Sequence, residues 1–383
     1  MKTPLAWLNF VHHKTRTLVA LAGVSFAVIL IFMQLGFRGA AEATATFLYS
    51  KIDDFEIFLV SSSYRDVNRT GTIPRTYLYR AMSLDEVESA YPLYISFSLW
   101  RNVTTGLRRT ILVIGFRPTD PIFRGLPELE DPDLLRELHR LDTVLVDRMS
   151  HPDFGLAEML PQTRITEVGF RRIEVVGQFT LGTGFASDAS IITSADTFAA
   201  LFPRRSLEKV NLGLVRLKRG ADVKAVQTQL RAILPPDVQV WTRSELESRE
   251  RDYWVHGKSI GILFTYGVFV AILVGVIFVY QIISADITNH YSEYATLKAM
   301  GYGNAYLSWV VLQQALYLGA IAYIPGLFAA LLLYAVTRHY AHITIEMTFP
   351  RALGVLALAL VMCTISGLLS VQKVKAADPA DLF

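Results

Sequence analysis

His339, His342 and Glu346 are spaced three and four residues apart, so two imidazoles and a carboxylate could share a metal ion. They fall in a short polar stretch between two apolar runs with no fourth ligand beside them. This setting suits polar side chains at a membrane surface better than a metal centre. His12-His13 stands next to Lys14 and Arg16, a grouping that favours lipid headgroups over catalysis. Nucleotide chemistry is not indicated: no GxxxxGK[ST] phosphate loop occurs, and Leu181-Gly182-Thr183-Gly184 lacks the Lys-Ser/Thr continuation, so it reads as a turn. We therefore expect no catalytic residue, no metal and no directly bound cofactor.

The most specific pattern is Asp286 to Gly301. Ile287, Tyr291, Tyr294, Leu297 and Met300 recur every three or four residues, Asp286 suits a helix N-terminus and Gly301 its stop. The pattern predicts a short amphipathic helix over 286–301. Physics alone leaves two readings of it, an interfacial anchor or a docking element for a soluble partner.

Four apolar runs place that segment: Leu18 to Leu35, Ile260 to Ala285, 39 uncharged residues from Ala299 to Thr337, and Ala352 to Val371. At about 1.5 Å per helical residue each can cross a hydrocarbon layer about 30 Å thick. The 52% hydrophobic and 19% charged composition agrees, since a soluble domain carries about 25% charge. The expected fold class is an α-helical membrane protein with four transmembrane helices and a large α/β periplasmic domain between the first and second. Residues 18–37, 259–285, 305–336 and 352–372 are the expected spans, with an amphipathic segment at 1–17 and a cytoplasmic tail at 373–383. Lys2, Lys14 and Arg16 precede the first acidic residue, Glu42, which puts the N-terminus in the cytoplasm. A cleaved signal peptide ending near Ala41–Ala43 is the rival reading, disfavoured by the length of the run and by the later spans. In the third run the helix should start near Ala305 after a break at Gly301, Gly303 and Asn304. Pro325-Gly326 is either a kink or a re-entrant turn.

The 221 residues from Arg38 to Lys258 carry 29 basic and 29 acidic side chains and no cysteine, so a folded domain there must rest on its own core. The only thiol, Cys363, lies in the last apolar run. Phe55–Val60 and Tyr94–Trp100 read as strands, with Ser83-Leu84-Asp85-Glu86 as a capping box opening a helix to Ala90 between them. Leu214–Leu217, a helix marked by Val223, Val226, Leu230 and Ile233, and Val238–Trp241 form a second such unit. One α/β subdomain should be assembled from both. Thr110–Phe116, Thr143–Val146, Arg164–Gln178 and Ser190–Thr193 are strand-like and form a β-rich insertion within it. A capping box at Ser244-Glu245-Leu246-Glu247 and the lack of proline up to Ala285 predict one helix about 60 Å long. Phe37 to Tyr49 should likewise extend the first span as a second stalk. Gly23/Ala27 and Ala271/Gly275 have small-xxx-small spacing, available to a dimer contact or to packing within the chain.

Asn289 to Tyr302, NHYSEYATLKAMGY, resembles the coupling-helix segment of FtsX/MacB-like (type VII) ABC transporter permeases. Pro4 to Phe37 and Lys373 to Phe383 are similar to the DevC-like branch. The resemblance implies a homodimer with a second permease copy and separate cytoplasmic ABC ATPase subunits that use the ATP. It also implies a periplasmic membrane-fusion-type adaptor and, through the assembly, a TolC-like outer-membrane protein. Tyr291, Glu293, Tyr294, Leu297, Lys298 and Gly301 would couple the chain to the ATPase. The expected place is the inner membrane of a Gram-negative-type bacterium, in contact with membrane lipids and without nucleic acid. An ATPase fused before the first span, as in the MacB pattern, is not expected. The absence of paired intramembrane charges lowers the odds of an ion-coupled transporter. The expected function is a permease subunit of an ATP-driven tripartite efflux or export complex. An FtsX-like regulator or scaffold controlling a periplasmic cell-wall hydrolase is the alternative, and an adaptor gene or a hydrolase partner would discriminate.

Overall fold

The structure, a computed structural model, describes residues 14–52, 54–156, 165–341 and 343–375. The expected N-terminal face of Leu5, Trp7, Leu8 and Val11, the His12-His13 pair, His342 and the tail from 376 onward lie outside the described residues. The chain divides into two compact units, a polar one centred on Ala40–Lys258 and one holding the apolar helices.

The first helix, α1 (Lys14–Thr46), continues beyond the expected span, as its run of Ala and the lack of proline predict. After it come β1 (Ile57–Ser61), β2 (Ile73–Pro74), α2 (Thr76–Ala81), β3 (Val87–Arg101) and β4 (Arg108–Phe116). The middle of the polar unit holds α3 (Pro132–Leu138), β5 (Thr143–Asp147), β6 (Ile165–Val168), β7 (Arg171–Phe179), β8 (Ser190–Ser194) and α4 (Ala195–Leu201). It closes with β9 (Lys209–Val210), β10 (Leu212–Leu217), α5 (Val223–Ile233), β11 (Val238–Thr242) and α6 (Arg243–Asp252). The apolar helices are α1 and then α7 (Ser259–Asn289), α9 (Asn304–Ala341) and α10 (Phe349–Lys375), with the short α8 (Tyr291–Ala299) between α7 and α9.

Nine strands form one mixed sheet in the order β11-β1-β10-β3-β4-β8-β5-β7-β6. The two strand-helix-strand ends do assemble together, because β1 lies between β10 and β11. The insertion is not a separate sheet. The first half of β3 pairs with β10 and the second half with β4. Its end then meets β6 through Trp100 and Val168, so β3, β4, β8, β5, β7 and β6 close into a ring. Side chains alternate across the strands, sending Ile57, Leu59 and Val113 into one core and Phe58, Val60 and Leu112 into another. Both faces are buried, which is why these strands read as continuous apolar runs.

Asp147 ties the ring together at the end of β5. Its buried carboxylate accepts the backbone N–H groups of Met149 (3.1 Å), Leu181 (3.2 Å) and Gly182 (2.9 Å) and the hydroxyl of Ser190 (3.2 Å). Leu181–Gly184 is thus an irregular stretch anchored on a carboxylate; the turn itself falls just after the expected place, at Phe185-Ala186, where Gly184 bridges to Ser187.

Three local expectations are corrected. No helix runs from Ser83 to Ala90: Ser83 to Glu86 is a turn after α2, and Ala90 pairs with Val215 in the sheet. Cross-strand pairing there overrides the local capping signal. The capping box before α6 is set on Thr242, whose hydroxyl accepts the Glu245 N–H (3.3 Å) while the Glu245 carboxylate accepts the Thr242 N–H (3.1 Å), two residues before the Ser244 expected. The single long helix from Ser244 to Ala285 is interrupted. After α6 the backbone widens into a five-residue-per-bond turn over Tyr253–Gly257, and Lys258 is extended at φ −93°, ψ 141° before α7 begins. The physical reason is side-chain demand: the Lys258 ammonium pairs with buried Asp66 and lies 3.3 Å from the centre of the Trp254 ring.

Among the described residues four helices are long and apolar enough to cross a membrane, and the chain is a multi-pass membrane protein. α9 passes through Pro325 without interruption, so a re-entrant turn at Pro325-Gly326 is ruled out. The small residues are used within the chain. A side chain at Gly275 would meet Ala27 at 3.0 Å as well as the Met362 sulfur, and Ala271 is buried, so this face packs α7 on α1 and α10 and is not left for a dimer contact. Hydroxyls satisfy carbonyls across the helices, Ser25 to Ala322 (2.8 Å) and Ser366 to Val276 (2.8 Å). Among the described residues, which do not include His342, no group of three His, Cys, Asp or Glu could hold a metal; His339 makes an edge contact with Tyr340 (4.9 Å between ring centres).

Candidate functional site

The segment between α7 and α9 is built differently from the expected single helix over 286–301. α7 continues four residues beyond Ala285, and the break falls at His290 (φ −105°, ψ 20°). Asp286 therefore sits in the last turn of α7 and does not start the short helix. Its carboxylate accepts a hydrogen bond from Gln314 Nε2 in α9 (2.6 Å). His290 Nδ1 lies 3.0 Å from the Asp286 carbonyl and 3.6 Å from its carboxylate, and both side chains are largely buried. A buried carboxylate costs stability unless it is hydrogen-bonded, so the amide of Gln314 fixes where α9 can sit beside α7.

The short helix α8 has its own inward face. Tyr294 and Ala295 are buried in the same apolar core as Ile287, Leu307 and Val311, and Leu297 packs half-buried against it. Burial, with the nearby charges of Asp286 and Glu293 adding to it, pushes the Tyr294 hydroxyl well above its ordinary range, so it stays neutral. Gly301 ends the segment as expected. At φ +94° it lets Tyr302 N–H reach Leu297 O (3.1 Å) and its own N–H reach Lys298 O (3.0 Å), the two bonds of a left-handed helix stop.

The six candidate coupling residues therefore separate. Glu293 is exposed and Gly301 shapes the turn, while Tyr291, Leu297 and Lys298 are half-buried. Tyr294 is a core residue, which corrects its expected place at a docking surface; Leu297 likewise turns towards the core. The outward face is made of Ser292, Glu293, Thr296 and Ala299, with Met300 directly after the helix, 63% exposed, and exposed Tyr302 beyond it, its ring tilted against that of Tyr306 at 5.0 Å. Exposed Met300 and Tyr302 were not among the expected residues of this surface because apolar side chains occur all around this nine-residue helix. Its periodicity cannot choose which side packs inward.

Residues 266–379 match the family described as FtsX-like permease C-terminal. This C-terminal stretch of the chain is similar to that permease domain. That domain begins within α7 and takes in α8, α9 and α10, so the whole segment from Asp286 to Tyr302 lies inside it. Comparison with curated protein sequences gives no match. Among solved structures, the periplasmic region of MacB from Actinobacillus actinomycetemcomitans is similar over 52% of this chain and 93% of its own, at 10% identity and a TM-score of 0.37. The extracellular domain of the noncanonic ABC-type transporter YknZ from Gram-positive bacteria is similar over 49% of this chain and 98% of its own, at 13% identity and a TM-score of 0.34.

Proposed function

We propose that this chain is the permease subunit of an ATP-driven tripartite export complex of the DevC-like kind, acting as a homodimer in the inner membrane of a Gram-negative-type bacterium. The observation that carries the reading is the small helix α8 inside the FtsX-like domain, with one face seated in the helix core and the other, around Glu293 and Met300, turned outward. Separate cytoplasmic ABC ATPase subunits dock on that outward face and use the ATP; the permease itself binds none. Because Tyr294 is locked in the core and Asp286 is bonded to Gln314, a displacement of α8 is passed to both α7 and α9. Purifying the intact assembly and identifying its subunits tests the proposal. An adaptor of the membrane-fusion type and an ATPase are expected, whereas a cell-wall hydrolase in place of the adaptor would favour the regulatory reading.

The polar unit is then periplasmic, and both termini are cytoplasmic. Single cysteines placed between Pro118 and Pro132 in a Cys363→Ala background should react with a membrane-impermeant thiol reagent added from outside. Labelling only after permeabilisation would reject this orientation.

An adaptor needs an apolar anchor, and the tip of the ring supplies one. Phe170, in the turn between β6 and β7, is fully exposed, and Leu99 in β3, whose carbonyl accepts the Gly169 N–H (2.7 Å), is also exposed. Phe170→Asp should lower adaptor binding by about 2 kcal/mol or more, a loss of about thirtyfold, without affecting ATPase association. Unchanged adaptor pull-down with that variant would move the docking surface elsewhere.

A further inference from the structure

The polar unit is joined to the apolar helices through the chain that follows α1 and through the chain that precedes α7. Both stretches end in one buried cluster. Tyr49, three residues after α1, and Tyr64, in the loop after β1, each donate a hydroxyl hydrogen bond to the same carboxyl oxygen, Oε1, of Glu250 in α6, and the two hydroxyls also touch each other. Glu250 is only 1% exposed, and among the described residues no group hydrogen-bonds its other oxygen, Oε2. Beside it Asp66, fully buried, pairs with Lys258, the last residue before α7. The Arg243 guanidinium donates to the Tyr49 carbonyl, binding the start of α6 to the same stretch.

We propose that this cluster is a proton-controlled clamp, which holds the segment after α1 against the segment before α7 while Glu250 is protonated and loosens when Glu250 ionises. Two buried carboxylates face a single ammonium here. If both are charged, one of them is left without compensation in a site that excludes water, and that is costly. A neutral Glu250 keeps both tyrosine hydrogen bonds and carries its proton on Oε2. Burial, and after it the charge of Asp66, raises the Glu250 carboxyl to about 8, against the tyrosine hydrogen bonds and Lys258, which favour the ionised form. Tyr64 and Glu250 themselves border a cleft of about 590 Å³, whose other charged lining residues are Arg65, Arg249, Asp252 and His256. There Asp252 is already met by His256 (2.8 Å) and Arg249 lies over the Trp241 ring (4.4 Å). Their charges face solvent and are screened, which leaves Asp66 and Lys258 as the charges that Glu250 feels directly.

Hydrogen exchange of the full chain in lipid nanodiscs, followed from mildly acidic to alkaline pH, tests the clamp. In the wild type, protection of amides 47–52 and 246–258 should be level below pH about 8. Above that it should fall about tenfold per pH unit, the signature of one proton lost before opening. Glu250→Gln, which imitates the neutral acid, should stay protected throughout. A level profile in the wild type, or the same fall in Glu250→Gln, would overturn the proposal. The infrared band of a protonated carboxylic acid gives a second readout on the wild type alone: it should be present at neutral pH and disappear with the same midpoint as the loss of protection. A band that is absent, or that titrates apart from the exchange transition, would also overturn it.

Discussion

Replacing Met300 with Asp should weaken binding of the ATPase subunits by about thirtyfold to a thousandfold while the permease still inserts and folds. Met300 stands exposed directly after α8 and is not part of the core cluster around Tyr294, so the substitution acts on docking and not on packing. An apolar anchor at the centre of a protein interface contributes about 2–4 kcal/mol, and an unpaired charge put in its place adds a desolvation cost. Glu293→Lys should have a smaller effect that is stronger at low salt, because an exposed rim charge acts mostly through steering. Leu297→Asp should behave differently: its half-buried side chain supports the core, so the variant should lose yield and thermal stability before any docking defect can be read. Co-purification of the ATPase and stimulation of its hydrolysis by the permease are the measurements. Wild-type values for both Met300→Asp and Glu293→Lys would remove α8 from the docking surface.

Asp147→Ala should destabilise the polar unit by about 3–5 kcal/mol. The substitution removes a fully buried carboxylate and orphans the buried Leu181 N–H and Ser190 hydroxyl together with the part-buried N–H groups of Met149 and Gly182, and each such group costs about 1–3 kcal/mol unless water reaches it. The loss should free the Leu181-Gly182 stretch and the Phe185-Ala186 turn after it first, because two of the donors belong to that stretch. Pulse proteolysis of the full chain in urea reports the shift in midpoint, with cleavage expected near that turn. A shift equivalent to less than about 1 kcal/mol would mean that solvent replaces the carboxylate and that the turn is held by other contacts.

The spans and strands were legible because each is encoded by its own residues. Runs such as Ile260 to Ala285 need no partner to be recognised, and the 3.6-residue recurrence of Val223, Val226, Leu230 and Ile233 identifies α5 on its own. The left-handed stop at Gly301 was equally readable, since only a residue without a Cβ adopts φ +94° cheaply. The Ser83–Glu86 signal misled because a capping box states a local preference of about 1 kcal/mol, whereas β3 gains a full ladder with β10 by running straight through Ala90.

The sequence by itself determined that a large polar α/β insertion follows the first of four apolar helices in the chain and precedes the other three, and that a short helix lies between the second and third of them. Hydrophobic run length, charge placement and periodicity are properties of the chain alone. Only the tertiary structure decided which face of α8 is available, because Tyr294 and Leu297 turn inward to a core contributed by α1, α7, α9 and α10. It also decided that the stalk breaks at Lys258, since the pull comes from Asp66, nearly two hundred residues earlier in the chain. The same holds for the pairing of Asp286 with Gln314 and for the burial of Glu250 between Tyr49 and Tyr64. A polar side chain's partner is chosen by where distant elements meet, and desolvation makes that choice matter only once the fold has closed around it.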